Sequence, residues 1–426
     1  MNTSEPNSAR APLWNRGFVS LLFTQFFEAA SDNIIKDTIV FAAAVAGPWE
    51  KVFGEGGSGL IAVIFSAPFI LLSAFGGRIA DRYSKSRITV ILKTLSLAVC
   101  ALCAIEFARG SAYGAIAALV AFATVSSFFG PVKYGMIAEL VDTKELSRAN
   151  GILNMATNVA VIVGGIVAGI VVTDWKDSFV DGSPTGVAAW HPGIAMAVAV
   201  VLGFLTCLTL PKLKPQNPSL PVDLNPFSTY IATLREMAKS PLLAVCAAWT
   251  FFYFVASVVL LILPDYSSFL AVKDNETALL KAGLGVAIGV GCVLAAYLDS
   301  PARRWMFVPA GAGGLALSFI LLGLAPPNYW LTMGLLVLTG LTAGFYIIPL
   351  QSMLQEYAPD VSRGRVLGTA NGVSFLMGLL GGVLFFALRG GVHMESHRVF
   401  LVVGGLCAAA AWVTLAWLRR HQRTAP

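Results

Sequence analysis

Apolar runs about 20 residues long, the length that crosses the hydrocarbon core of a bilayer, recur from Phe18 to Leu418 with mostly short connections between them. They predict helices at roughly 18–46, 58–80, 88–108, 111–130, 149–172, 193–210, 242–263, 278–298, 305–325, 328–350, 366–388 and 398–418. The 426 residues are 57% hydrophobic and 12% charged, against the ~25% charged usual in soluble domains. A water-soluble fold of this size has no interior large enough for so much apolar surface. The expected class is therefore an all-α membrane protein of about twelve transmembrane helices, since helices satisfy their own backbone hydrogen bonds in lipid.

The longest connection, 211–241, is rich in proline, lysine, asparagine and serine. It divides the chain into a first six-helix bundle at 18–210 and a second at 242–418, with short polar tails at 1–17 and 419–426. Basic residues set the orientation, because lysine and arginine stay on the cytoplasmic side. With the N-terminus inside, 20 of them fall on inner segments and seven on outer ones, which predicts that both termini and the linker are cytoplasmic. The net charge of +6 thus reflects membrane topology, and no nucleic-acid partner is expected. The first apolar run is too long and too charged for a cleavable signal peptide.

The two halves carry traces of one repeat. Ala149-Asn150-Gly151 recurs 221 residues later as Ala370-Asn371-Gly372, with Pro131 and Glu139 before the first copy and Pro349 and Glu356 before the second. Parallel six-helix repeats are a known transporter plan, with the substrate site between the halves near mid-membrane.

Catalytic patterns are missing. No Gly-x-x-x-x-Gly-Lys-Ser/Thr loop is present, and none of His191, His393, His397 and His421 has an aspartate five residues on. Cys100 and Cys103 lie in an apolar run without a histidine nearby, so they read as small packing residues. The chain is expected to be a transporter without a cofactor, not an enzyme.

Helix one carries Glu28, Asp32, Asn33, Lys36 and Asp37 inside its apolar run. Glu28 lies about 15 Å and Asp32 about 21 Å along the helix from Phe18, at mid-membrane depth. Ionisable groups there are expensive and usually functional. Glu28, Asp32 and Lys36 follow at i, i+4 and i+8, so one face presents them together. Two readings stand: a substrate or proton site, or a structural ion pair between Asp32 and Lys36.

The connection after helix two reads Gly77-Arg78-Ile79-Ala80-Asp81-Arg82-Tyr83-Ser84-Lys85-Ser86-Arg87. Gly77 lets two helices approach closely, Asp81 suits a helix N-terminus or an arginine, and Arg82 and Arg87 supply bonds that hold the inner side shut. The alternative is a basic loop that only sets orientation. This stretch closely resembles the Gly-x-x-x-Asp-Arg signature of the major facilitator superfamily; its second-half counterpart, Leu298 to Arg304, is degenerate. The resemblance implies two six-helix bundles, the major facilitator fold, working by alternating access.

The segment between helices four and five reads Phe128-Phe129-Gly130-Pro131-Val132-Lys133-Tyr134-Gly135-Met136-Ile137-Ala138-Glu139-Leu140-Val141, followed by Leu146-Ser147-Arg148-Ala149-Asn150-Gly151. It resembles the bacterial lysophospholipid transporter family, as do Asp32-Asn33 and the stretch from Gly344 to Glu356. That narrower resemblance implies movement of lysophospholipids, such as lysophosphatidylethanolamine, across the bacterial inner membrane, with a functional link to a cytoplasmic acyltransferase and a monomeric protein among membrane lipids. Glu28 or Asp32 would meet the ammonium of such a headgroup, and Lys36 or Lys133 its phosphate; Lys133 reads equally as a gate residue, beside Glu139 and Arg148. One departure stands out: helix seven holds no basic residue and carries Trp249, Phe251, Phe252, Tyr253 and Phe254 instead. Two other readings remain, a proton-coupled transporter of another amphiphile or small solute, and a non-transporting membrane partner of an acyltransferase.

Overall fold

The computed structural model describes residues 12–44, 47–54, 57–223 and 225–422. Most of the polar tail expected at 1–17, and the last residues of the tail at 419–426, lie outside the described residues. The first half comprises α1 (Arg16–Ala43), the single turn α2 (Glu50–Phe53), α3 (Gly57–Arg82), α4 (Lys85–Ala108), α5 (Ala112–Leu140), α6 (Leu146–Asp177) and α7 (His191–Cys207). A short helix, α8 (Pro226–Met237), lies in the linker. The second half comprises α9 (Leu242–Leu270), α10 (Asp274–Leu298), α11 (Pro301–Leu324), α12 (Tyr329–Tyr357), α13 (Arg363–Phe386) and α14 (Ser396–Gln422).

Without α2 and α8, six long helices remain on each side of the linker among the described residues. Eleven of these twelve are apolar and long enough to span a bilayer; the exception, α1, has its apolar run diluted by Glu28, Asp32, Lys36 and Asp37. Within each half the long helices pack around their own core. The halves meet chiefly where α3 lies against α13 and α6 against α10. The α3–α4, α5–α6, α10–α11 and α12–α13 turns gather at one end of the bundle together with the linker. That end is called the linker face below.

Several helices outrun the apolar stretches that announce them. α5 continues through Pro131 to Leu140, α9 through Pro264 to Leu270, and α12 through Pro349 to Tyr357. A helical proline removes one i→i−4 hydrogen bond, and in a bundle a neighbour can replace it. For Pro131 the freed carbonyl belongs to Ser127, and the Ser73 hydroxyl of α3 donates to it at 3.5 Å. Lys133 and Glu139 are therefore helical residues of α5, and the connection to α6 begins only after Leu140.

α8 was not expected within the linker. Its start is well specified: Asn225 caps it by accepting from Phe227 N at 3.0 Å, and Pro226 occupies the first position, where a missing N–H costs nothing. Thr229, Thr233 and Met237, one turn apart, form its buried face.

Candidate substrate site and gate

The ionisable residues of α1 disperse to different partners. Glu28 is buried and ion-paired with Lys93 of α4, itself buried, whose ammonium also lies 4.4 Å from the centre of the Phe129 ring. The Ser126 hydroxyl of α5 sits 3.1 Å from Glu28 Oε1 and 2.8 Å from Asp32 Oδ1, shared between the two carboxylates. Lys36 turns away from Asp32: it donates to Asn33 Oδ1 at 2.8 Å, pairs with Asp37 at 3.4 Å and lies over Phe65. The ion pair weighed between Asp32 and Lys36 is thus replaced by two others, because Lys36 reaches its i−3 and i+1 neighbours and Glu28 finds a cation on another helix. Asn33 also donates to Ala29 O at 2.8 Å, and Gly164 of α6 lets that helix pack against the Ala30–Asn33 turn.

Asp32 has the Ser126 hydroxyl but no ion-pair partner among the described residues, and neither has Lys133. The Lys133 ammonium lies 4.8 Å from the centre of the Tyr134 ring. Tyr134 meets Trp249 of α9 edge-on at 6.4 Å, and Trp249 packs on Tyr253 at 4.9 Å. The aromatic residues that stand in helix seven instead of a basic one therefore reach the neighbourhood of Lys133 from the other half. Lys93 lies within the apolar run at 88–108, and only the fold brings it to Glu28.

On the linker face, fully buried Asp81 accepts hydrogen bonds from Gly364 N at 2.6 Å and Arg365 N at 3.0 Å, at the N-terminus of α13, with Arg365 Nε at 3.4 Å. An anion at a helix N-terminus meets unpaired N–H groups and the positive end of the helix dipole. Gly77 makes this approach possible: a Cβ there would overlap the Gly364 carbonyl. The stretch expected to be a connection is helical except at Tyr83 and Ser84, and its arginines act elsewhere. Arg78 and Arg82 donate to the linker carbonyls of Pro221 (2.8 Å) and Leu220 (2.7 Å), and exposed Arg87 has no partner among the described residues. Glu139 pairs with buried Lys85 at 2.5 Å inside the first half. Arg148 pairs with Glu145 at 2.9 Å and lies over Tyr297 of α10.

The second seam repeats the first in other residues. Asn150, fully buried, donates to Gln355 Oε1 at 2.6 Å and accepts from Gln351 Nε2 at 3.0 Å, both on α12. Its repeat mate Asn371 donates to Ser73 Oγ at 3.0 Å, so each repeat asparagine reaches into the opposite half. Ser147, at the start of α6, donates to buried Asp299, which pairs with Arg304 at 2.8 Å; Arg304 in turn takes Glu356 in a two-pronged pair. An offset of roughly 220 residues relates Asp81, Lys85 and Glu139 to Asp299, Arg304 and Glu356. The stretch from Leu298 to Arg304, degenerate as a motif, thus keeps its acid and its base.

Two pseudo-equivalent bundles whose matching loops each reach a helix of the opposite half define the architecture, and the sequence matches the family model for the Major Facilitator Superfamily over residues 21–382 and 302–426. The chain belongs to the major facilitator superfamily. Within it, the lysophospholipid transporter LplT of Shigella sonnei (strain Ss046) is 26% identical over 430 residues, covering 98% of this chain and 100% of that protein. LplT of Escherichia coli O139:H28 matches with the same identity and coverage. The human organic anion transporter MFSD10 superposes with a TM-score of 0.71 at 13% identity, over 94% of this chain and 99% of that one. A bacterial homologue of the iron transporter ferroportin, in an outward-facing state, gives 0.69 at 13% identity, over 95% and 99%. These structural likenesses speak for the fold alone. The chain is a multi-pass membrane transporter of this superfamily.

Proposed function

We propose that this transporter moves lysophospholipids, such as lysophosphatidylethanolamine, across the bacterial inner membrane by alternating access, with the linker face and both termini in the cytoplasm. The observation that carries the reading is the end-to-end likeness to LplT. The charges of the site support it. Glu28 and Lys93 neutralise each other, which leaves one carboxylate, Asp32, and one ammonium, Lys133, with no salt bridge within 4 Å among the described residues. A zwitterionic headgroup needs that complement, an anion for its ammonium and a cation for its phosphate. Asn33 and Lys36 continue the polar face of α1 beyond Asp32, away from the linker face. Asp81, Gly77, Arg82, Glu139 and Arg148 then belong to the shut cytoplasmic gate and its supports, directly or through the linker, and Arg87 to the membrane-facing charge.

The test is uptake of labelled lysophosphatidylethanolamine by proteoliposomes of the purified chain. Uptake above empty liposomes supports the proposal and rules out a purely non-transporting partner of an acyltransferase. No uptake by folded protein overturns the cargo. A proton-coupled transporter of another amphiphile is the second reading, favoured by one detail: Glu28 and Asp32 share a single hydroxyl, an arrangement suited to holding a proton. Transport that stops when the proton gradient is collapsed selects it.

A further inference from the structure

The linker helix α8 lies along the α3–α13 seam. Near its end, Glu236 accepts from the Ser362 hydroxyl at 3.0 Å, just before α13 begins. Nearer its start, the Tyr230 hydroxyl donates to Ile70 O of α3 at 2.6 Å. Ile70 lies about 18 Å along α3 from Arg82, and Gly372 about 15 Å along α13 from Ser362, so α8 climbs the seam instead of crossing the linker face.

Gly372 gives Tyr230 its place. A Cβ at 372 would overlap the Tyr230 hydroxyl and stand 2.7 Å from its Cζ. The repeat mate Gly151 is used differently: a Cβ there would overlap the Ala296 Cβ and stand 2.7 Å from the Cys292 carbonyl oxygen, both of α10. At the same point of the repeat, the α6–α10 seam is closed by α10 itself and the α3–α13 seam by a linker tyrosine. Arg78 Nη1 of α3 also donates to Thr229 Oγ1 of α8 (3.3 Å), and the linker before α8 is tied to α3 by Asn217 N donating to Asp81 O (2.8 Å). Phe227 and Ile231, one turn apart, are 57% and 51% exposed on the outer side of α8, as a lipid-facing surface would be.

We infer that α8 is a clasp on the α3–α13 seam, and that Tyr230 leaves its place at Gly372 whenever these helices part. The side chain bonds one half and fills a hollow in the other, so it cannot keep both contacts through a relative rotation of the halves. For an amphiphile whose chain stays in the bilayer, which rests on the cargo proposed above, the same withdrawal opens a lateral path on the linker side.

The test places a cysteine at Ser73, fully buried in the seam, and follows maleimide labelling in nanodiscs, with the parent chain and its six buried native cysteines as the blank. Tyr230→Phe removes only the hydroxyl and is expected to raise the labelling rate about fivefold, the worth of one hydrogen bond. Gly372→Ala is expected to raise it as well, and Gly372→Ala with Tyr230→Ala to label no faster than Tyr230→Ala alone, since the clash has lost its partner. Labelling of Tyr230→Phe at the parent rate, in protein with an unchanged unfolding midpoint, overturns the clasp. So does multiplication of the Gly372→Ala and Tyr230→Ala effects. No cargo enters this assay, so its failure is separate from failure of the uptake experiment.

Discussion

Asp81 of α3 accepts a hydrogen bond from the backbone N–H of Gly364, the second residue of α13, at 2.6 Å across 283 residues of sequence. The bond joins the two halves at the linker face and is made by a buried carboxylate to a helix N-terminus. Asp81→Asn keeps one acceptor and turns an amide N–H toward a backbone N–H. The closed conformation is expected to lose about 2 kcal/mol, the range of a charged hydrogen bond. Faster maleimide labelling of a cysteine at Ser73 checks this; an unchanged rate counts against the gate.

Gly77→Ala acts on the same contact by volume. The added methyl overlaps the Gly364 carbonyl, and backbone on both sides leaves no side chain to move aside. The linker face should then fail to close, and uptake should fall by about tenfold or more, as expected when a conformation is destabilised by more than 1.4 kcal/mol. Distances between spin labels on α3 and α13 report closure directly, and a parent-like distance distribution refutes the prediction.

Lys93→Met strands Glu28 as a buried anion. Breaking one side of such a pair costs about 4 kcal/mol, whereas removing both charges is close to neutral. Thermal unfolding in detergent should therefore show a large loss for Lys93→Met and recovery of most of it in Lys93→Met with Glu28→Gln. Additive losses would mean that the two side chains do not form the pair described.

Arg304 holds Asp299 and both oxygens of Glu356 at once. Lysine carries the charge but not the planar fork, so Arg304→Lys is expected to cost about 2 kcal/mol and Arg304→Ala more, because two acids are left without their cation. The same unfolding assay ranks the three proteins; equal midpoints for parent and Arg304→Lys contradict the two-pronged pair.

Much of this architecture was legible in the residues. The apolar runs gave the spans, and the repeated Ala-Asn-Gly tripeptide marked positions where both asparagines cross between halves. The stretch from Gly77 to Arg87 advertised an acid suited to a helix N-terminus, although its residues up to Arg82 belong to α3. What stayed hidden depends on tertiary contact. Lys93 is one base in an apolar run, and nothing local ties it to an acid 65 residues away. Pro131 and Pro264 looked like helix ends because sequence shows the lost hydrogen bond and not the neighbour that compensates. α8 was masked by the proline and polar content around it, although Asn225-Pro226 is a sound helix start. The stretch holding Asp299 and Arg304 read only as a degenerate counterpart because the motif around them has drifted while the pair itself persists.

The central claim is that this transporter carries lysophospholipids through the charges Asp32 and Lys133. Its most direct test is uptake of labelled lysophosphatidylethanolamine by proteoliposomes containing the parent chain or Asp32→Asn at equal protein density. The account predicts uptake well above empty liposomes for the parent, and a loss of about tenfold or more in the variant, as expected when one charged contact to the headgroup is removed. Parent uptake no greater than that of empty liposomes would contradict the cargo, and equal uptake by the two proteins would contradict the site.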